Sequence, residues 1–132
     1  MKTFFSGHNF LDEDLVGVLG SNGCKVDRTK ASYLMDFYES DEDGFFSALN
    51  GWFCGLIVDL RQNAIFLFND RFGVGRLNYY DAPDSFYFAS EAKALLKVRK
   101  ELRQIDLQSL GEFFACDCVL EDRTLFSNVF IL

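Results

Sequence analysis

Proline occurs once in this chain, at Pro83, and histidine once, at His8. With one imidazole, a closed metal site would have to recruit cysteines from distant places, and Cys116-x-Cys118 is a poor ligand spacing with no second pair after it. No metal and no cofactor are expected. Basic residues are in the minority. Lys and Arg total 13 against 20 Asp and Glu, giving a net charge of −7, so a nucleic-acid partner is not expected. The one basic cluster, Lys97, Arg99, Lys100 and Arg103, is broken by Glu101 and reads as a solvated face. The acidic runs Asp12-Glu13-Asp14 and Asp41-Glu42-Asp43 suit helix N-termini. Long apolar runs are also missing. The longest, Trp52 to Val58, is far short of the ~20 residues that cross a bilayer, so no membrane partner is expected. Met1-Lys2-Thr3-Phe4-Phe5 turns polar at Ser6, which is not the pattern of a signal peptide. With Cys24, Cys54, Cys116 and Cys118 read as reduced thiols, the expected location is cytoplasmic. No Gly-rich phosphate loop is present, so ATP chemistry is not expected within these residues.

Apolar material is what the chain has in quantity. It is 49% hydrophobic and contains 16 Phe, enough for a packed core and more than 132 residues need bury alone, which points to a partner surface. No repeat or low-complexity segment interrupts it, and residues 1–132 are read as one domain.

Residues Leu11 to Ala48 have helical rhythm. Leu15, Val18 and Leu19 share one face of a first helix that Gly20 and Gly23 should end. Tyr33, Leu34, Phe37 and Tyr38 form the apolar side of a second. Asp41-Glu42-Asp43-Gly44 caps a helical turn over Phe45 to Leu49. Strand character then takes over. Trp52 to Asp59 and Ala64 to Asp70 flank the turn Arg61-Gln62-Asn63, and Leu77 to Asp81 and Ser85 to Ser90 flank Ala82-Pro83-Asp84. These strands are apolar on both sides, which predicts a sheet covered on both faces. Glu91 to Lys97 and Leu107 to Cys116 read as helices. The sum is an α+β fold with helices layered on antiparallel sheet. Cys54, inside an apolar strand, reads as a small core residue.

Several stretches, in order, resemble the glutaminase domain of the asparagine synthetase family, class II amidotransferases of the N-terminal-nucleophile type. They are Leu49-Asn50-Gly51-x-Phe53, Asn69-Asp70-Arg71-Phe72-Gly73, Tyr79-Tyr80, and Phe88-Ala89-Ser90-Glu91-x-Lys93-Ala94-Leu95-Leu96, with a further match from Asp106 to Thr124-Leu125-Phe126. The match runs from about Phe5 to Leu132. The signature residues Asn50, Gly51, Asp70, Arg71, Gly73, Ser90 and Glu91 also have ordinary structural readings. Gly73 suits a turn needing positive φ, Asp70 and Arg71 could pair across it, and Ser90 could cap the helix beginning at Glu91 with Lys93 on its solvent side. They are taken as marks of fold, not of catalysis.

The resemblance also implies what such a domain needs. Family members attack the glutamine side-chain amide with an N-terminal cysteine thiolate, with its α-amine as base. Here Met1-Lys2-Thr3 opens the chain, and Cys24, the first thiol, falls in an expected turn. No catalytic residue is assigned. Phe5-Ser6-Gly7-His8-Asn9-Phe10 lines up with the family's Asn-Gly-Glu-type loop, which puts Ser6 at the oxyanion asparagine, keeps Gly7, and places His8 at the acidic position. The opening strands of the fold are therefore expected to be missing. Thr29-Lys30-Ala31-Ser32 puts Lys30 where the family holds the substrate's ammonium with an aspartate, and a cation there repels it. Val74 to Tyr80 is one residue longer than the family's loop and lacks its proline. Three readings stay open. One is a piece of an asparagine-synthetase-like protein, a family that moves ammonia from glutamine to an ATP-activated acid. Another is a module that dimerises or docks on a synthetase partner. The third is an unrelated small ligand-binding α+β domain whose resemblance is accidental.

Overall fold

Asp41 ends one helix and starts the next. Its N–H donates to the Phe37 carbonyl at 3.0 Å and its carboxylate accepts the Gly44 N–H at 2.9 Å. In the computed structural model, which describes residues 1–10, 13–21 and 32–132, this joins α2 (Tyr33–Ser40) to α3 (Glu42–Ala48). Helix α3 begins three residues earlier than its apolar spacing indicates, because the Asp41 cap draws Glu42-Asp43-Gly44 into the first turn. Helix α1 spans Glu13–Ser21 and takes Gly20 into its body. Leu19 is fully buried. The Leu15 and Val18 side chains and Gly23 lie outside the described residues.

The backbone divides into two compact units, Met1–Gly75 and Arg76–Leu132. In the first, strands β1 (Lys2–Asn9), β2 (Gly51–Asp59) and β3 (Ala64–Asn69) form an antiparallel sheet in that order. The β2–β3 turn is held by Arg61. Its guanidinium donates to both oxygens of the buried Asp59, at 3.1 and 2.8 Å, and its backbone N–H adds a third bond at 2.8 Å. That fork holds the Asp59 carboxyl down to about 2. Tyr33, Leu34, Phe37 and Tyr38 of α2 pack with Phe45, Phe53, Ile57 and Phe68 in one aromatic-rich core, so the helical face read from the sequence is the buried one.

In the second unit, β4 (Asn78–Ala82) lies between β5 (Ser85–Ala89) and β6 (Phe130–Ile131). Helix α4 (Ala92–Val98) packs Leu95 with Leu102 and Val129, against Tyr80 and Tyr87. The Arg99 guanidinium lies 4.9 Å from the Tyr87 ring centre and donates to its hydroxyl at 2.7 Å. Helix α5 (Leu107–Cys116) is capped by Asp106, which accepts the Ser109 N–H at 2.7 Å. Helices and antiparallel sheets make the fold α+β. Among the described residues, no helix is long and apolar enough to cross a membrane.

Three expectations about the strands and the α4 cap need correction. Among the described residues, the sheets are not covered on both faces. Along β2 the odd-numbered residues are buried and the even ones are not, and on that second face Phe4, Trp52 and Ile65 are 60%, 55% and 69% exposed. In β5, Phe86 and Phe88 are likewise exposed. Strand apolarity therefore does not measure two-sided burial here. The stretch around Ser6-Gly7, expected as a loop, is the interior of β1. Ser90 does not cap α4. Glu91 holds the extended cap position without a side-chain bond, while the Ser90 carbonyl accepts from Asn78 Nδ2 at 3.2 Å.

Candidate functional site

Directly paired residues of antiparallel strands point to the same face. Ser6 pairs with Cys54, and Cys54 with Asn69, so a hydroxyl, a thiol and a carboxamide form one row across all three strands. The next row carries His8 opposite Trp52, and alternation along β1 puts His8 on the same side as Ser6. This is the open face of the first sheet. Ser6 and His8 are exposed and Cys54 is half-buried.

Gly7 points to the other side, and its conformation has a structural cause. It sits at φ +120°, and a Cβ there would come within 2.1 Å of the Trp52 carbonyl oxygen. The close approach of β1 to β2 therefore requires glycine at this position whether or not a ligand is ever bound. Asn9, which the sequence reading did not single out, ties three elements together. Its Oδ1 accepts the Asn50 N–H at 2.9 Å and its Nδ2 donates to the Tyr33 hydroxyl at 2.9 Å. Asn50 and Gly51 are thus the residues at which β2 is fastened beside the end of β1.

Asp70 follows β3 and is 3% exposed. Its carboxylate accepts backbone N–H groups from Gly75 (2.6 Å), Val74 (3.1 Å), Phe72 (3.1 Å) and Phe53 (3.3 Å). Burial pushes its pKa up, but these four donors outweigh that and leave it below the ordinary value. The expected Asp70–Arg71 pair does not hold this turn. Four amides fill the carboxylate, while Arg71 is exposed. Gly73 has the positive φ anticipated for it, +64°. Phe72 and Val74 project from this turn, 77% and 58% exposed.

The electrostatics of the row follow. Burial pushes the Cys54 thiol up, and the Asp70 charge pushes it further the same way. An activated nucleophile needs the reverse, a cation or helix N-terminus that favours thiolate. The row is suited to hydrogen bonding through neutral groups. Among the described residues, no group of three His, Cys, Asp or Glu side chains is placed to hold a metal ion. Cys24 and Lys30 lie outside the described residues. Ser90 and Glu91 belong to the second unit, where Glu91 pairs with the exposed Lys93.

Residues 22–132 match the family model of the glutamine amidotransferase domain. Over 111 residues the chain is 31% identical to asparagine synthetase (glutamine-hydrolyzing) 3 of Bacillus subtilis strain 168, covering 83% of this chain and 18% of that protein. It is 30% identical over 96 residues to asparagine synthetase (glutamine-hydrolyzing) 1 of the same organism, covering 73% of this chain and 15% of that protein. The chain thus spans less than a fifth of the length of the curated relatives it matches.

Proposed function

The chain belongs to the glutamine amidotransferase domain family, and from that premise we propose that it is an asparagine-synthetase-like amidotransferase domain whose own residues do not hydrolyse glutamine. The reading takes residues 1–132 as one partial domain of the N-terminal-nucleophile fold, acting in the cytoplasm. Its ancestral task would be to deliver ammonia to a synthetase that amidates a carboxylic acid.

The observation that carries the proposal is the state of Cys54. It is the thiol that the strand register sets beside Ser6, and burial and Asp70 both favour its neutral form. By resemblance, Ser6 and Gly7 would take the place of the family's oxyanion residues, and Ser6 would offer a shorter donor than asparagine. Losing one oxyanion donor costs ~10²–10³ in rate even with a nucleophile in place. Lys30 at the ammonium position would repel the substrate. Together these describe a vestigial site. The test is the pH dependence of Cys54 alkylation, followed by mass spectrometry. A midpoint above the ordinary ~8.5 supports the reading, and one below 7 would mean an activated thiol and sink it.

A second reading is an interaction module, and the exposed Phe4, Trp52, Ile65 and Phe72 favour it. The partner would be a second copy or a synthetase domain. Sedimentation equilibrium of the chain decides the first case. A monomer at all concentrations excludes self-association.

A further inference from the structure

We propose that Cys116 and Cys118 form a reversible intramolecular dithiol–disulfide pair, closed by the left-handed backbone of Asp117 between them. Both cysteines are exposed and free. Asp117 caps α5 at φ 57°, ψ 16°, and its N–H donates to the Phe113 carbonyl at 2.9 Å. Helical dihedrals of either hand bring Cα atoms two residues apart to about 5.4 Å. That distance is close to the commonest separation in disulfides, within a permitted range of about 4.4–6.8 Å. An extended middle residue would set them about 6.6 Å apart, at the edge of that range. The cap that ends the helix therefore also brings the two Cα atoms to a separation that disulfides use. Aspartate tolerates this left-handed region and a β-branched residue does not. The spacing that serves metal binding poorly suits this chemistry.

The step needs an oxidant, here a small neutral disulfide. The Cys118 thiolate attacks one of its sulfurs, forming a mixed disulfide and expelling one thiolate. The Cys116 thiolate then attacks the Cys118 sulfur, closing the ring and expelling the second. Two thiol protons leave, the protein pair loses two electrons, and the small disulfide becomes two thiols. Asp117, between the two cysteines, is exposed, and the chain carries −7 overall, so an anionic disulfide would be repelled where a neutral one is not.

The test uses the full chain at pH 8 in mixtures of 2-mercaptoethanol and its disulfide, quenched by alkylation and cleaved after Arg and Lys. Residues 104–123 form one peptide that contains Cys116 and Cys118 and neither of the other two cysteines. The expected product is this peptide lighter by two hydrogens, closed to alkylation until reduced. Asp117→Gly should close at least as readily, and Asp117→Val about fivefold less or worse. Two separate mercaptoethanol adducts on the peptide, linkage to another chain or to Cys24 or Cys54, or equal closure in the valine variant would overturn the proposal.

Discussion

Asp70 and Gly75 close a turn through a single short bond, Gly75 N–H to Asp70 Oδ2 at 2.6 Å. Three more amides converge on the same carboxylate, so the turn after β3 is built around one buried charge. Asp70→Asn would replace an acceptor with a donor facing N–H groups. The expected loss of stability is about 2–4 kcal/mol, the range for leaving one or two buried donors unmatched. Urea denaturation measures it. A change below about 0.5 kcal/mol would mean the amides find other partners.

Within that turn the two glycines should differ. A Cβ on Gly75 would lie 2.2 Å from the Phe53 carbonyl oxygen, whereas one on Gly73 meets nothing within 4 Å. Gly73→Ala is expected to cost only the left-handed backbone penalty, about 1 kcal/mol. Gly75→Ala must push strand β2 aside and should cost more. Equal losses would contradict the close approach.

Acid should unfold the chain partly through Asp59. Its folded pKa, about 2, lies below the ~3.9 of an unfolded aspartate. The folded state therefore binds fewer protons, and the stability due to Arg61 is fully present above about pH 4 and is lost as pH falls toward 2. Asp70 adds to the same trend, its pKa also being lowered. Urea midpoints between pH 6 and 2.5 should fall in the native chain. In Asp59→Asn they should start lower and fall less.

Tyr87 should ionise early. Its bonds from Ser85 and Arg99 hold its pKa below the ordinary 10, while burial raises Tyr33, Tyr38 and Tyr79. In an ultraviolet titration, a phenolate component below pH 10 should vanish in Tyr87→Phe. Its persistence in that variant would assign it elsewhere.

Much of this architecture could be read before any coordinates. The spacing of Tyr33, Leu34, Phe37 and Tyr38 marks the buried side of α2 because a 3.6-residue period is local information. Both hairpin turns fall at the expected Arg61-Gln62-Asn63 and Ala82-Pro83-Asp84, except that Ala82 is the last residue of β4 and pairs with Ser85. What escaped depends on contacts distant in sequence. Lys2 to Asn9 shows no clean alternation, since Phe4 and Phe5 are adjacent, and it is a strand only because β2 pairs with it. The bonds of Asn9 to Asn50 and Tyr33 span 41 and 24 residues. The amide cradle of Asp70 includes Phe53, 17 residues upstream, which no pattern around Asp70-Arg71 reveals. Exposure of Ile65 and Phe86 was invisible for a related reason. Composition says a strand is apolar, and only the surrounding layers decide whether both faces are covered.

The most direct test of the account is ammonia release from glutamine by the purified chain, with Ser6→Ala and Cys54→Ala beside it. A thiol whose neutral form is favoured by burial and by Asp70 predicts release no higher than the buffer blank in all three. Release by the native chain that disappears in Cys54→Ala would show a working nucleophile in the row and contradict the proposal of a silent site.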